Sequence, residues 1–155
     1  MASLQEVKEF KVFTDIIPEE IEVILNVSQE VSFQTGDVII EEAVQSPDSD
    51  LFIILEGRVE VDVEFQKVQL DLSGHKRLRV LSRGETFGEM GLLHGKRRSA
   101  RIKAYSDLRA LKVSRTELFE LFTRNPRLGY IFMRNLVSIL SDRLIDINFM
   151  WRDEI

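Results

Sequence analysis

Apolar positions recur along this chain in three successive rhythms, and each rhythm points to a kind of element. Leu4, Val7, Phe10, Phe13 and Ile17 fall at intervals of three and four, which predicts a short amphipathic helix or helical turn. Pro18-Glu19-Glu20 opens a second helix, because proline suits a first turn and carboxylates there complement the helix dipole. Ile21, Ile24 and Leu25 form its buried face, and it ends near Asn26.

From there to about Val113 the rhythm becomes that of short strands. Val31-Ser32-Phe33 is expected to meet Asp37-Val38-Ile39-Ile40 across Gln34-Thr35-Gly36, where glycine offers a positive φ. Pro47-Asp48-Ser49-Asp50 marks another turn, and the unbroken apolar run from Leu51 to Leu55 predicts a strand buried on both faces. After Glu56-Gly57 the alternation is strict: Val59, Val61, Val63 and Phe65 inward, Arg58, Glu60, Asp62 and Glu64 outward. Ser73-Gly74 is expected to turn the chain before a strand from Lys76 to Leu81. A last alternation sets Ala100, Ile102 and Ala104 in one phase and Ser99, Arg101, Lys103 and Tyr105 in the other. About eight short strands, most with no helix between them, predict a jelly-roll-like β-roll.

Helical rhythm returns after Val113. Ser114 and Glu117 make a capping box, and Asn125-Pro126 forms an N-cap and first-turn pair. The helical pattern from Pro126 runs to about Trp151, a rod of roughly 39 Å. It carries a heptad-like seam of Met133, Val137, Leu140, Leu144, Ile147 and Trp151, and a second stripe with Leu128, Phe132, Leu136 and Ile139. Two stripes predict one face on the β-roll and one on a second copy of the chain, giving a homodimer. The expected architecture is α+β, mainly β. It is one domain over 1–155, with N-terminal helices in 1–27, a double-stranded β-helix or β-roll in 28–113 and C-terminal helices in 114–155.

Composition removes several classes. No cysteine among 155 residues excludes disulfides and thiolate metal sites. A net charge of −5 argues against a general nucleic-acid or anionic-membrane binder, and the cluster Lys96, Arg97, Arg98, Arg101 and Lys103 is too small to reverse that. No apolar run approaches the roughly 18 to 20 residues of a membrane span, and Met1-Ala2-Ser3-Leu4-Gln5-Glu6 lacks a signal-peptide layout. A soluble, cytoplasmic protein is expected. His75 and His94, the only histidines, have no ligand-spaced partner, and no nucleophile elbow appears. Neither a metal site, nor a cofactor, nor an enzyme is expected.

One stretch carries chemistry. Gly84, Gly88 and Gly91 precede the basic cluster, and Arg98 falls on the apolar phase of its strand, where an unpaired guanidinium is costly to bury. A carboxylate or a bound anion must meet it. Gly88 permits close backbone approach, and a helical turn over Glu89 to Leu93 would present free N–H groups. An arginine fork combined with backbone N–H donors suits a phosphate.

Phe87-Gly88-Glu89-Met90-Gly91-Leu92-Leu93 followed by Arg98-Ser99-Ala100 resembles the phosphate-binding cassette of cyclic-nucleotide-binding domains, here spanning 86–104. That family includes catabolite activator proteins, protein kinase A regulatory subunits and cyclic-nucleotide-gated channels, and the resemblance covers roughly residues 10 to 150. It implies that Glu89 binds the ribose 2′-hydroxyl and that Arg98 binds the exocyclic phosphate oxygens. Backbone N–H groups near Gly88 and Ala100 would complete the cradle, with Met90 in the same turn. Ser99 fits contact with the phosphate or with a syn guanine, so cAMP and cGMP both remain open. The base is usually met from the long C-terminal helix, where Arg143 interrupts an otherwise apolar face.

The implied function is a non-enzymatic sensor in which a cyclic mononucleotide shifts the population of C-terminal helix positions. Family members that regulate transcription continue into a winged helix-turn-helix. This chain stops at Ile155, so it is expected not to bind DNA in that manner and to act on an effector protein in trans, or as a ligand buffer. The rivals are a dimeric scaffold with a vestigial nucleotide pocket and a cupin-like enzyme, the latter disfavoured by the histidine count.

Overall fold

The computed structural model describes residues 2–40, 50–67, 72–89 and 100–153. Two short helices, α1 (Leu4–Val7) and α2 (Pro18–Asn26), flank a 3-10 turn at Lys11–Phe13. Eight strands follow: β1 (Ser28–Phe33), β2 (Val38–Ile40), β3 (Leu51–Glu56), β4 (Val59–Lys67), β5 (Leu72–Leu81), β6 (Thr86–Phe87), β7 (Arg101–Ala104) and β8 (Leu108–Val113). Helices α3 (Arg115–Arg124) and α4 (Pro126–Asp153) close the chain. The strands form two four-stranded sheets, ordered β1-β8-β3-β6 and β2-β7-β4-β5, with every recorded pairing antiparallel. This is the expected β-roll flanked by N-terminal helices and a long C-terminal helix.

β3 shows how the core is divided. Leu51, Ile53 and Leu55 point out of the roll into a cluster with Ile21, Ile24, Leu118 and Phe132. Phe52 and Ile54 point inward to Val59, Phe87, Ile102 and Leu108. All five β3 residues from Leu51 to Leu55 are buried, because helices cover one face of the strand and the second sheet covers the other. The expected caps also form: the Ser114 hydroxyl accepts from the Glu117 N–H, and Asn125 Oδ1 accepts from the Leu128 N–H.

Four local expectations are corrected. Ile17 is 49% exposed and Ile16 is the buried residue. Asp15, at φ 63, breaks the helical rhythm before it reaches Ile17. β1 and β2 do not pair across their turn: β1 pairs with β8 and β2 with β7. The Gly36 N–H donates to the Ala104 carbonyl and the Ala104 N–H to the Asp37 carbonyl, so the turn passes the chain from one sheet to the other. Ser73 and Gly74 lie within β5 rather than in a turn before it. Asp62 is buried, not exposed: it stands opposite Arg101 of β7, whose guanidinium forks onto its carboxylate.

The first half of α4 is fixed firmly. Leu128, Phe132, Leu136 and Ile139 are buried with the N-terminal helices, and buried Asn135 donates through Nδ2 to the Val12 and Thr14 carbonyls at 2.8 Å each. Beyond Leu140 the helix leaves this packing, and only Arg143 among residues 141–152 is less than exposed.

Candidate functional site

Phe87 of β6 stacks on Phe52 of β3, with ring centroids 4.8 Å apart and planes at 1°. This contact, together with the cross-strand pairing of the same two residues, anchors the end of β6. Gly88 follows at φ 83, a conformation that a side chain would disfavour, and the chain turns there into Glu89. On the opposite side, Arg101 at the start of β7 forks onto Asp62 of β4, both bonds 2.9 Å long. The Asp62 side chain is 3% exposed and the Arg101 side chain 20%. This buried, bidentate pair pins the segment that emerges from the basic cluster, next to Ala100.

Between these anchors and the second half of α4 lies a hollow of about 540 Å³. Gly88, Glu89 and Ala100 stand on its wall together with Val61, Leu81 and Ile102 of the roll. Leu140, Leu144 and Ile147 line it from α4. The seam assigned to a second copy therefore has a partial correction: its middle members face the chain's own hollow as well as solvent. The register explains this, since the axis of α4 leaves the core beyond Ile139 and the seam edge then overhangs the roll.

Arg143 also projects from α4 into this wall. Its Nη1 donates to Glu89 Oε1 at 2.6 Å and its Nη2 to the Thr86 carbonyl at 2.5 Å. The two side chains are 12% and 11% exposed, so the pair is screened little by water. Two further ion pairs, Arg79–Asp146 at 3.6 Å and Lys11–Asp142, join the same half of α4 to the roll and to the N-terminal segment. They sit at the rim, with Asp146 and Asp142 more than half exposed, and contribute about 0 to 1 kcal/mol each.

Of the residues singled out in the sequence, Gly88, Glu89, Ala100 and Arg143 come together around one hollow. Met90, Arg98 and Ser99 lie outside the described residues, as do His94 and the turn over Glu89 to Leu93 beyond its first residue. Sequence reasoning missed the Asp62–Arg101 pair, whose only sequence signal is opposite charge on two separate strands. It also missed the direct bond between Arg143 and Glu89, separated by 54 positions. Chemically the hollow offers largely apolar walls and, in Glu89, a carboxylate that can accept from hydroxyl groups. Among the described residues no group of three or more His, Asp or Glu is placed to hold a metal ion.

The frame of this site is thus a β-roll with Gly88 at positive φ on the wall of a hollow and a long helix beside it. Residues 30–125 match the family described as cyclic nucleotide-binding domain, and the chain belongs to that family. Over 91% of its length it is 30% identical to a cGMP-dependent protein kinase of Eimeria tenella, of which it spans 13%. Over 85% of its length it is 29% identical to the cyclic AMP receptor protein of Thermus thermophilus, of which it spans 56%. Among solved structures it resembles a cyclic nucleotide-binding domain from Methylobacillus flagellatus, with a TM-score of 0.75 and 25% identity, covering 92% of this chain and 76% of that one. No helix among the described residues is long and apolar enough to cross a membrane.

Proposed function

We propose that this chain is a non-enzymatic sensor domain for a cyclic mononucleotide, cAMP or cGMP. The observation that carries the reading is the convergence of Gly88, Glu89 and Ala100 on one apolar-walled hollow beneath α4. Its volume of about 540 Å³ lies within the range of small-molecule sites, roughly 300 to 1,000 Å³. The relatives add support, since the names of two of them include cGMP and cyclic AMP.

In this reading Glu89 accepts a hydrogen bond from the ribose 2′-hydroxyl. Arg98 and the backbone N–H groups near Gly88 and Ala100 hold the cyclic phosphate, flanked by Met90 and Ser99. The purine lies between the roll and the apolar residues of α4, with Arg143 at its edge. A ligand in contact with both walls stabilises one position of α4 over others, and an effector protein in trans reads that position. A second copy packs along Met133, Val137 and Trp151; the last two are 59% and 65% exposed, as an uncovered seam requires.

Thermal denaturation of wild type and Arg98→Ala with cAMP, cGMP and linear 5′-AMP tests the reading. A ligand at one hundred times its dissociation constant adds about 2.7 kcal/mol of stability, or roughly 5 to 10 °C in a domain of this size. The expected result is a shift with one cyclic nucleotide, absent with 5′-AMP and lost in Arg98→Ala. An unchanged midpoint with every nucleotide would leave the scaffold with a vestigial pocket as the better account.

A further inference from the structure

The chain leaves the wall of the hollow at Ala100 and joins the roll one residue later, at Arg101, the first residue of β7. β7 has only four residues, and its pairing with β2 covers Lys103 and Ile102. Among the described residues Arg101 is therefore laddered to β4 alone. The end of a short strand with one neighbour is where pairing frays first. Its register partner there is Asp62, and the guanidinium donates from Nε and Nη2 to the two carboxylate oxygens at 2.9 Å each. Neither residue lies on the wall of the hollow, whereas Val61 and Ile102, their chain neighbours and partners of each other, do. The fork thus stands beside the ligand wall and not in it. The Asp62 side chain is 3% exposed, a costly place for a carboxylate unless a cation is held against it.

We infer that the Asp62–Arg101 fork is the positioning element for the phosphate end of the hollow. It clamps the first residue of β7, so that the backbone N–H of Ala100 keeps one direction toward a bound phosphate oxygen. The inference rests on the reading of the backbone near Ala100 as part of the phosphate cradle. Magnitudes support a clamp. The fork biases the strand end against coming apart by a factor of about 30 to 1,000, allowing for the one-fifth exposure of Arg101. One N–H bond to a charged phosphate is worth about 10 to 100. The protein therefore holds the donor at least as firmly as the ligand pulls on it, which is what preorganisation requires. Without the fork the ligand itself must order the strand end, and its affinity falls accordingly.

The test reads the two exocyclic phosphate oxygens one at a time. In the phosphorothioate analogues of cAMP and cGMP, sulfur, a weak acceptor, replaces one oxygen or the other according to the diastereomer. Calorimetric titration of the full chain compares each parent nucleotide with its two diastereomers, in wild type and in Arg101→Met, at a temperature where circular dichroism shows both folded. In wild type both diastereomers are expected to bind about tenfold or more weakly than the parent. In Arg101→Met the parent weakens by about 10- to 100-fold, and the penalty for one diastereomer falls to within about threefold. The other diastereomer, whose sulfur meets Arg98, keeps its penalty. Should Arg101→Met fail to fold, the double variant Asp62→Val with Arg101→Val removes the stranded charge and carries the same comparison. Weaker binding with both penalties intact would overturn the inference, because a merely structural pair gives that pattern. So would a parent affinity unchanged by loss of the fork. A wild type indifferent to sulfur at either oxygen would remove the directional cradle while sparing nucleotide binding. Absence of binding by every ligand in wild type would remove the cyclic-nucleotide reading itself.

Discussion

Replacing Asp62 with valine should destabilise the roll by about 2 to 4 kcal/mol, and the size follows from where its partner sits. Asp62 and Arg101 are register partners on β4 and β7, and two 2.9 Å bonds fork between them. Removing one member of a buried pair costs roughly 3 to 5 kcal/mol, because the other charge stays behind in a poor solvent. Arg101 is one-fifth exposed, so part of its charge can recover water and the lower figure applies. In a domain of this size that lowers the melting temperature by about 5 to 15 °C. Substituting both residues with valine removes the stranded charge, and the pair of β-branched side chains suits adjacent strands. The double variant should regain most of the loss. Urea unfolding of wild type, both single variants and the double variant closes the cycle. Equal destabilisation in Asp62→Val and in the double variant would refute the reasoning, for it would mean that no stranded guanidinium was being rescued.

Three other outcomes follow from the same structure. Asn135→Ala removes both bonds to the Val12 and Thr14 carbonyls and should cost about 2 to 4 kcal/mol, seen in urea midpoints and as faster amide exchange at the 3-10 turn. Acid should unfold the protein partly through two carboxylates held below their ordinary range. These are Asp107, by the Thr35 backbone N–H and then its hydroxyl, and Glu30, chiefly by a hydrogen bond from Arg109. Their folded pKa values lie below the unfolded ones, so their stabilisation is complete above about pH 5 and declines as pH falls through the folded values; Asp107→Asn should flatten the acid limb of a stability curve. Val137→Glu, on a residue 59% exposed and off the hollow wall, should convert the proposed dimer to a monomer in sedimentation while leaving affinity for the proposed nucleotide unchanged.

The sequence alone determined much of this protein, because its signals were local. Helix α2 begins at Pro18, as a first-turn proline implies, and ends at Asn26, where its apolar rhythm stops, and α3 starts behind Ser114 as its cap requires. The apolar run of β3 announced burial on both faces, since any polar side chain there would meet either the helices or the second sheet. Gly88 and Glu89 could be singled out as candidates because they are neighbours in sequence, and the fold places both on the wall of the hollow.

What the tertiary structure decided are relations between distant segments, on which side-chain rhythm is silent. That β1 and β2 join different sheets depends on whose carbonyls reach the turn, namely those of Asp37 and Ala104. The burial of Asp62 depends on the register that sets it opposite Arg101 of β7, whose guanidinium forks onto its carboxylate. The grip of Arg143 on Glu89 depends on where a helix lands after its core stripe ends. Periodicity fixes which residues share a face of that helix, but only packing against the rest of the chain chooses what the face meets.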